Sequence, residues 1–215
     1  MPVSTSNWMI FEPTIPNIIR HKYAKSSRGP GSRPRASPGS ASWARAPTAS
    51  STTTRASSYF SKIVTETVTK IVNVPILKNA GATATCCLKN LSYGALSNTS
   101  RLHKLWMKSV AEPCAFPVLR DKVVLNIVDG LQACYDGGPG ANPKFIYDAN
   151  VLLFGSDPVA VDAVAHDIIV KERMARGTQQ VDARGRSAAF LDIAEVLGLG
   201  VAAREKIEIA DVSMG

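Results

Sequence analysis

The chain has 215 residues and a hydrophobic content of 45%, values that fit one globular domain with an appendage. No run approaches the roughly 20 apolar residues that a membrane-spanning helix needs, so we expect no transmembrane segment. The net charge of +8 is concentrated in residues 1–58, which hold eight Lys or Arg and a single acid, Glu12. Since the remaining chain is nearly neutral, we expect no nucleic-acid binding.

Residues 1–57 are predicted to be a low-complexity basic arm. Residues 24–58 consist mainly of Ser, Ala, Arg, Pro, Thr and Gly, and such a segment buries too little apolar surface to offset its ordering entropy. We therefore expect disorder. Three origins stay open: a transit peptide, a plain flexible tail, or an out-of-frame product of a GC-rich gene. No secretory leader is recognisable, which makes the cytoplasm the default location.

From residue 58 to residue 215, hydrophobic spacing predicts an ordered domain. In chain order we expect a helix at 59–71, a strand at 71–77, helices at 84–96 and 102–112, strands at 123–128, 144–147 and 151–154, helices at 158–176 and 187–197, and a strand at 206–210. Pro75 indicates a strand end or an edge position. Asp157 followed by Pro158 is a typical helix start, and Gly177 is a typical helix end.

This alternation of strands and helices predicts an α/β fold with a mostly parallel sheet and helices on both faces. An incomplete sheet on its N-terminal side is an open alternative.

Asp129 is the first candidate functional residue, because it follows five apolar residues in the six positions of the strand 123–128. We expect its carboxylate at the carboxyl edge of the sheet, where open α/β sheets place functional groups. Downstream, Gly137 and Gly138 would let the backbone approach a ligand, and Asp136 could join Asp129 at a divalent metal. The alternative is a turn in which Asp129 bonds to its own backbone. The chain has no GxGxxG and no Walker lysine, so nucleotide binding is not indicated.

Polar residues after the strand 71–77 predict an anion site. Lys78, Lys89 and Asn90 could form a rim that attracts a small anionic ligand. Arg101 could clamp a carboxylate or phosphate, and His103 could move a proton or bind a metal. The alternative for each is a solvated surface side chain or a structural histidine.

Asp162 and His166 lie four residues apart on one helical face, which permits either a general-base dyad or a surface contact. Asp157 is expected to be a helix cap.

The four cysteines match no zinc, ferredoxin or CxxC pattern. They are Cys86, Cys87, Cys114 and Cys134. We expect small buried hydrophobic residues, with ligation of a metal or an iron–sulfur cluster as the alternative.

Six segments, taken in order, resemble the C-terminal portion of the family known as domain of unknown function 362. They are SKIVTETVTKIVNVPILK (61–78), LKNLSYG (88–94), NTSRLH (98–103), LRDKVVLNIVDG (119–130), GGPGANPKF (137–145) and FGSDPVAVDAVAHDII (154–169). The family's activity is not established; members often resemble exported proteins, and some carry iron–sulfur modules. The resemblance implies recurrent roles for Lys78, Lys89, Asn90, Arg101, His103, Asp129, Gly138, Pro139, Asp157 and Asp162.

The chain departs from that family at one point. Similar sequences read Leu-Lys-Asp-His, whereas here Lys78 is followed by Asn79 and Ala80, which puts any chemistry of an acid–histidine pair in doubt. Three functions follow as hypotheses. The first is a metal- or anion-dependent enzyme or redox-associated protein, with Asp129, His103 and Lys89 as catalytic groups. The others are a non-enzymatic ligand- or partner-binding module, and a truncated or degenerate inactive copy.

Overall fold

A computed structural model describes residues 8–11, 57–80, 84, 86–105, 107–138, 140, 142–178 and 188–212. The strands are β1 (Trp8–Phe11), β2 (Lys70–Asn73), β3 (Ile76–Lys78), β4 (Val123–Cys134) and β5 (Ile146–Gly155). The helices are α1 (Cys87–Ala95), α2 (Met107–Ala111), α3 (Pro117–Arg120), α4 (Pro158–Ala175) and α5 (Phe190–Val196). Short 3₁₀ turns cover Thr99–Lys104, Glu112–Ala115, Pro143–Phe145 and Arg204–Lys206, and a π-helical turn covers Ile63–Thr67.

The long strand β4 is the centre of the sheet. It pairs in parallel with β2 and β3 and antiparallel with β5, while β1 pairs in parallel with β2. Asn126 is paired with both Asn73 and Gly155, so β2 and β5 lie on opposite edges of β4. Asp129 is paired with both Ile76 of β3 and Leu152 of β5, so β3 lies on the same edge of β4 as β2. Strands β2 and β3 therefore follow one another along β4, and the predicted strand 71–77 is broken before Pro75.

The α/β class is confirmed, and three of the four strand pairings are parallel. The described helices pack on the sheet face that carries Asn73, Asn126 and Val128. On that face Val161, Ala165 and Ile169 of α4 pack against Leu77, Val128 and Ala133. Burial of the Val, Leu and Ile side chains among them contributes about 1.5–3 kcal/mol each. Helices on the other face stay a prediction, since residues 12–56 lie outside the described residues.

A second apolar cluster joins α1, α3 and α5 to the start of the sheet. Leu88 and Leu91 of α1 pack with Ile71 of β2, Leu119 of α3 and Phe190 of α5. Both clusters contain residues of α1, which therefore packs between the sheet and the other helices. This packing fixes the position of the polar side chains on α1.

The start of α4 agrees with the sequence prediction. The Asp157 carboxylate accepts backbone hydrogen bonds from Val159 (2.8 Å) and Ala160 (2.9 Å), as expected for an N-cap. Its second oxygen accepts a bond from the Val201 backbone at 2.9 Å. Asp157 therefore also attaches the C-terminal segment to α4.

Two element predictions were wrong in the first half of the domain. Residues 59–71 do not form a helix: only the turn Ile63–Thr67 is helical, and β2 begins at Lys70. The β-branched residues there fit a pleated strand better than a helix, and Ile71 pairs with Val123 of β4. The predicted helix 102–112 is divided into the turn Thr99–Lys104 and α2.

The two strands predicted at 144–147 and 151–154 are the single strand β5. From Asp148 to Val151 the chain takes three steps, while the paired residues Gln132 and Gly130 are two steps apart. The extra residue forms a β-bulge, and Asn150 adopts a left-handed φ of 52°, a conformation that Asn tolerates.

At the two ends of the chain, the predictions also need correction. The strand β1 was not predicted, because its four residues show no period by themselves. The predicted strand 206–210 is not a strand; Ile209 is 50% exposed, since alternation alone supplies no neighbouring strand. The predicted disorder of the basic arm falls outside the described residues.

Candidate functional site

A group of polar and aromatic side chains surrounds Tyr93 on α1. The Lys89 ammonium lies 5.3 Å from the centroid of the Tyr93 ring, and the His103 ring meets it edge-on at 5.0 Å between centroids. The Tyr93 hydroxyl is 2.9 Å from the Ser109 hydroxyl. Lys89 is buried, whereas His103 is exposed. The structure thus brings together Lys89 and His103, two residues that the sequence placed in one site.

Asn90, the next residue on α1, begins a chain of buried amides. Its side-chain nitrogen donates to Asn73 (2.8 Å), and the Asn73 amide donates to Asn126 (2.8 Å). The Asn126 amide in turn donates to the Gly155 carbonyl at 3.1 Å. Asn73 and Asn126 are fully buried, so each such bond is costly to break. This chain fixes α1 to the end of β2 and holds Asn90 beside Lys89.

Arg101 and His103 share the 3₁₀ turn Thr99–Lys104. The Arg101 guanidinium donates to the Ser58 hydroxyl at 2.9 Å, and the His103 Nδ1 lies 3.1 Å from the Thr99 carbonyl oxygen. The turn therefore holds His103 against Tyr93 of α1, while Arg101 is bonded to Ser58. We use the name α1 site for Lys89, Asn90 and Tyr93 of α1 together with Arg101 and His103 of the turn that follows it.

The electrostatic setting of the α1 site is visible in the sequence, although it was not predicted. No Asp or Glu occurs between Glu66 and Glu112. That stretch of 45 residues holds six Lys or Arg and one His, and it contains every residue of the α1 site. A field of one sign attracts ligands of the opposite charge. The segment that carries this site is therefore positively charged, while Asp162 of α4 places one carboxylate at the start of α1.

Asp129 does not join the α1 site. Strand β4 continues to Cys134, so Asp129 lies within the strand and not at its end. Its neighbour Val128 faces α4, and side chains alternate along a strand, which directs Asp129 to the opposite face of the sheet from α1. Its carboxylate accepts a bond from the Leu131 backbone at 3.0 Å. The expected position at the carboxyl edge was wrong, because the glycine after Asp129 does not end the strand.

The loop after β4 contains the other predicted ligand residues. The Asp136 carboxylate pairs with Arg173 of α4 at 2.6 Å, and Arg173 also donates to the Tyr135 carbonyl. A side chain at Gly138 would collide with the Asn79 carbonyl oxygen, so the loop lies directly on the segment after β3. Gly137 has a left-handed φ of 66°. Arg173, which is 3% exposed, was not predicted as a partner of this loop.

Lys78 lies at the end of β3, next to that loop. It is half-buried, and burial lowers the pKa of its ammonium, an effect that the thiols of Cys86 and Cys134 oppose. The Cys86 thiol itself is neutral, since burial raises its pKa well above the usual value. All four cysteines are free and buried, which confirms the expectation of small buried hydrophobic residues.

Asp162 and His166 were predicted as a possible pair. The Asp162 carboxylate instead accepts bonds from the backbone of Cys87 and Leu88 at the start of α1. Burial raises the pKa of Asp162 to about 7, although these bonds lower it. Burial also lowers the pKa of His166. The Asp162 carboxylate thus provides acceptors for the first backbone N–H groups of α1.

The described part of the chain offers no donor set that fits a resident metal or iron–sulfur cluster. Among the described residues, no group of three or more His, Cys, Asp or Glu side chains is placed to hold a metal ion. Asp136, one of the two predicted metal ligands, is paired with Arg173, and Asp129 lies on the strand before it. The residues that the structure describes therefore do not form a binding site for a metal ion or an iron–sulfur cluster.

Comparison with known proteins identifies the family. The family described as domain of unknown function (DUF362) matches residues 19–167. The chain belongs to the DUF362 family. The match contains the α1 site, β4 and the start of α4, and it begins within the predicted basic arm, so the division at residue 58 stays a prediction. No curated protein and no solved structure matches this DUF362 chain. None of its described helices combines the length and apolar character needed to span a bilayer.

Proposed function

We propose that this DUF362 protein binds a small anionic ligand, a carboxylate or a phosphate, at the α1 site. The observation that carries the proposal is the gathering of Lys89 and His103 around Tyr93, within a stretch of 45 residues that has no acidic side chain. A positive field focused by low-dielectric walls raises the local concentration of anions.

Each residue of the site has a role in this proposal. Lys89 supplies positive charge from a mostly desolvated position, where an ion interaction is stronger than in water. Arg101 offers the planar donors that suit carboxylate and phosphate. Asn90, held by the buried amides behind it, adds a polar group at the rim. His103, the exposed member, adds an imidazole ring that can donate a hydrogen bond to the ligand.

The proposal covers both an enzyme and a binding module. An enzyme acting on the bound anion would use His103 as its proton carrier. A binding module would need His103 only as a hydrogen-bond donor. Replacement of His103 by Gln separates the two, since Gln retains a donor but cannot carry a proton.

Thermal unfolding in inorganic phosphate, and separately in malonate, tests the binding proposal. A ligand that binds the folded state raises Tm in a saturable way that follows RT ln(1 + [L]/Kd). Sodium chloride at equal ionic strength is the reference. We expect a saturable rise for the native chain and its loss in Lys89→Met and in His103→Ala, which removes the donor that Gln would retain.

Lys108→Gln is the matched control, because Lys108 is exposed on α2 within the same acid-free stretch. It should retain the full shift. Phosphate also stabilises proteins without binding, by exclusion from their surface. An equal and unsaturated rise in the native chain and all three variants would therefore refute the α1 site. If Lys89→Met fails to fold, the comparison of His103→Ala with Lys108→Gln still tests the α1 site.

A further inference from the structure

The ends of β3 and β4 lie outside the α1 site and bring Lys78 near Cys86, the residue before α1. Their last residues, Lys78 and Cys134, are paired in a parallel register. The crevice outside the carboxyl ends of parallel strands is where open α/β sheets place ligands. The loop that follows β4 returns over this edge, with Gly138 against the Asn79 carbonyl. Lys78 thus ends a parallel strand beside a close-packed glycine loop.

The surroundings of Lys78 differ from those of an ordinary surface lysine. Its side chain is half-buried, and the titratable groups that act on it are the thiols of Cys86 and Cys134. Among the described residues, its ammonium has no hydrogen bond and no ion pair. The nearby charges of Asp136 and Arg173 are paired with each other. No described carboxylate holds Lys78 in its charged form.

We propose that Lys78 is a nucleophilic amine that forms an imine with a small aldehyde or ketone. A desolvated lysine without a counterion is the usual source of a reactive amine in proteins. Burial lowers the pKa of Lys78, so more of the amine is neutral near pH 7 than in a solvated lysine.

The reaction balances without a redox partner. The lone pair of the neutral Lys78 nitrogen attacks the carbonyl carbon and forms a C–N bond, and the resulting carbinolamine loses the carbonyl oxygen as water. That water carries away both protons of the amine. The product is a C=N bond between Lys78 and the ligand carbon, and hydrolysis reverses it.

Reductive trapping of the full chain tests this proposal. The probe is propanal with sodium cyanoborohydride at pH 7, which converts an imine into a stable propyl amine. Trypsin does not cleave after an alkylated lysine. A propyl group on Lys78 therefore leaves residues 71–89 as one uncleaved peptide. A propyl group on Lys70, which is exposed, leaves residues 63–78 as one uncleaved peptide. The extent of labelling at Lys70 is the internal reference.

We expect mass spectrometry to find Lys78 labelled more extensively than Lys70, because the lowered pKa of Lys78 leaves a larger neutral fraction of its amine. Unfolding in guanidinium should make the two extents equal. Lys78→Arg should remove the 71–89 product, while Lys70→Arg should leave it unchanged. Labelling of Lys78 at or below the extent of Lys70 in the folded chain would overturn the proposal. The comparison of folded and unfolded native chain decides the question even if Lys78→Arg does not fold.

Discussion

Asp162 of α4 closes the start of α1 by accepting a backbone hydrogen bond from Cys87 at 2.6 Å. Leu88, the next residue, donates to the other carboxylate oxygen at 2.9 Å. The first N–H groups of a helix have no partner within it, and here a side chain from another helix satisfies two of them. Because Asp162 is 1% exposed, this contact joins α4 to the α1 site through a buried ionisable group.

The first prediction is a pH dependence of stability that comes from Asp162. Burial raises the pKa of Asp162 from 3.8 to about 7, so between these values the folded state binds more protons than the unfolded state. The contribution of Asp162 to the unfolding free energy should then be highest below about pH 4 and decrease as pH rises to about 7, by up to about 4 kcal/mol. Urea unfolding across this range measures the slope.

Asp162→Asn should remove that slope, because the amide does not titrate. Asp192→Asn is the control, since Asp192 is exposed on α5, and it should keep the slope of the native chain. Parallel pH profiles for the native chain and Asp162→Asn would show that Asp162 titrates as it does in the unfolded state.

The second prediction concerns the ion pair between Asp136 and Arg173. Arg173 is 3% exposed and Asp136 is 32% exposed, so loss of Asp136 leaves a buried guanidinium without its carboxylate. Removal of one partner from a buried pair is strongly destabilising. After allowance for the partial exposure of Asp136, we expect Asp136→Ala to lower the unfolding free energy by about 2–4 kcal/mol.

Asp121→Ala is the matched control for that experiment. Asp121 pairs with Arg120 at 2.9 Å, and both side chains are about half exposed. Exposed pairs contribute about 0–1 kcal/mol, so urea unfolding should show little change. Equal decreases in unfolding free energy for the two variants would mean that solvent screens the Asp136–Arg173 pair as well.

The class of the fold and the cap at Asp157 could be predicted from sequence, because both depend on local patterns. Hydrophobic period distinguishes helices from strands, and an Asp-Pro pair is a helix start whatever the surrounding fold. The role of Asp162 depends on which helix lies beside α4. Its spacing from His166 predicted a neighbour on the same helix, whereas its bonding partners come from α1.

Only part of the candidate site could be predicted from sequence. Lys89 and His103 both contact Tyr93, because a short helix and the turn that follows it carry them. Asp129 was misplaced, since the sequence does not show that pairing with β5 extends β4 to Cys134. The sequence shows Asn126 only as an amide within an apolar run. Its role depends on a hydrogen bond with Asn73, which is 53 residues away.

The third prediction concerns that chain of buried amides. Asn126→Leu removes the acceptor of Asn73 and the donor to the Gly155 carbonyl. Each buried polar group that loses its partner costs about 1–3 kcal/mol, so we expect a total loss of about 2–4 kcal/mol. The control is Gln132→Ala on the same strand, which is exposed and should change stability by less than about 0.5 kcal/mol. A neutral Asn126→Leu would indicate that the amides are replaceable by apolar packing.

The fourth prediction compares two glycines of one loop, Gly138 and Gly140. A methyl group at Gly138 would meet the Asn79 carbonyl oxygen, whereas one at Gly140 would meet nothing within 4 Å. A backbone carbonyl cannot rotate away as a side chain does, so Gly138→Ala must move the loop off the segment after β3. That movement strains the bond from the Asn79 backbone to the Cys134 carbonyl at 2.7 Å.

Overpacking of this kind costs about 1–3 kcal/mol, and we expect a loss of that size for Gly138→Ala. Gly140→Ala should be neutral or stabilise the chain by up to about 1 kcal/mol, because it reduces the freedom of the unfolded chain without a clash. Chemical unfolding of both variants measures the difference. Equal stabilities would show that the loop does not lie against Asn79 in solution, and Lys78 would then be more exposed to water than in this structure.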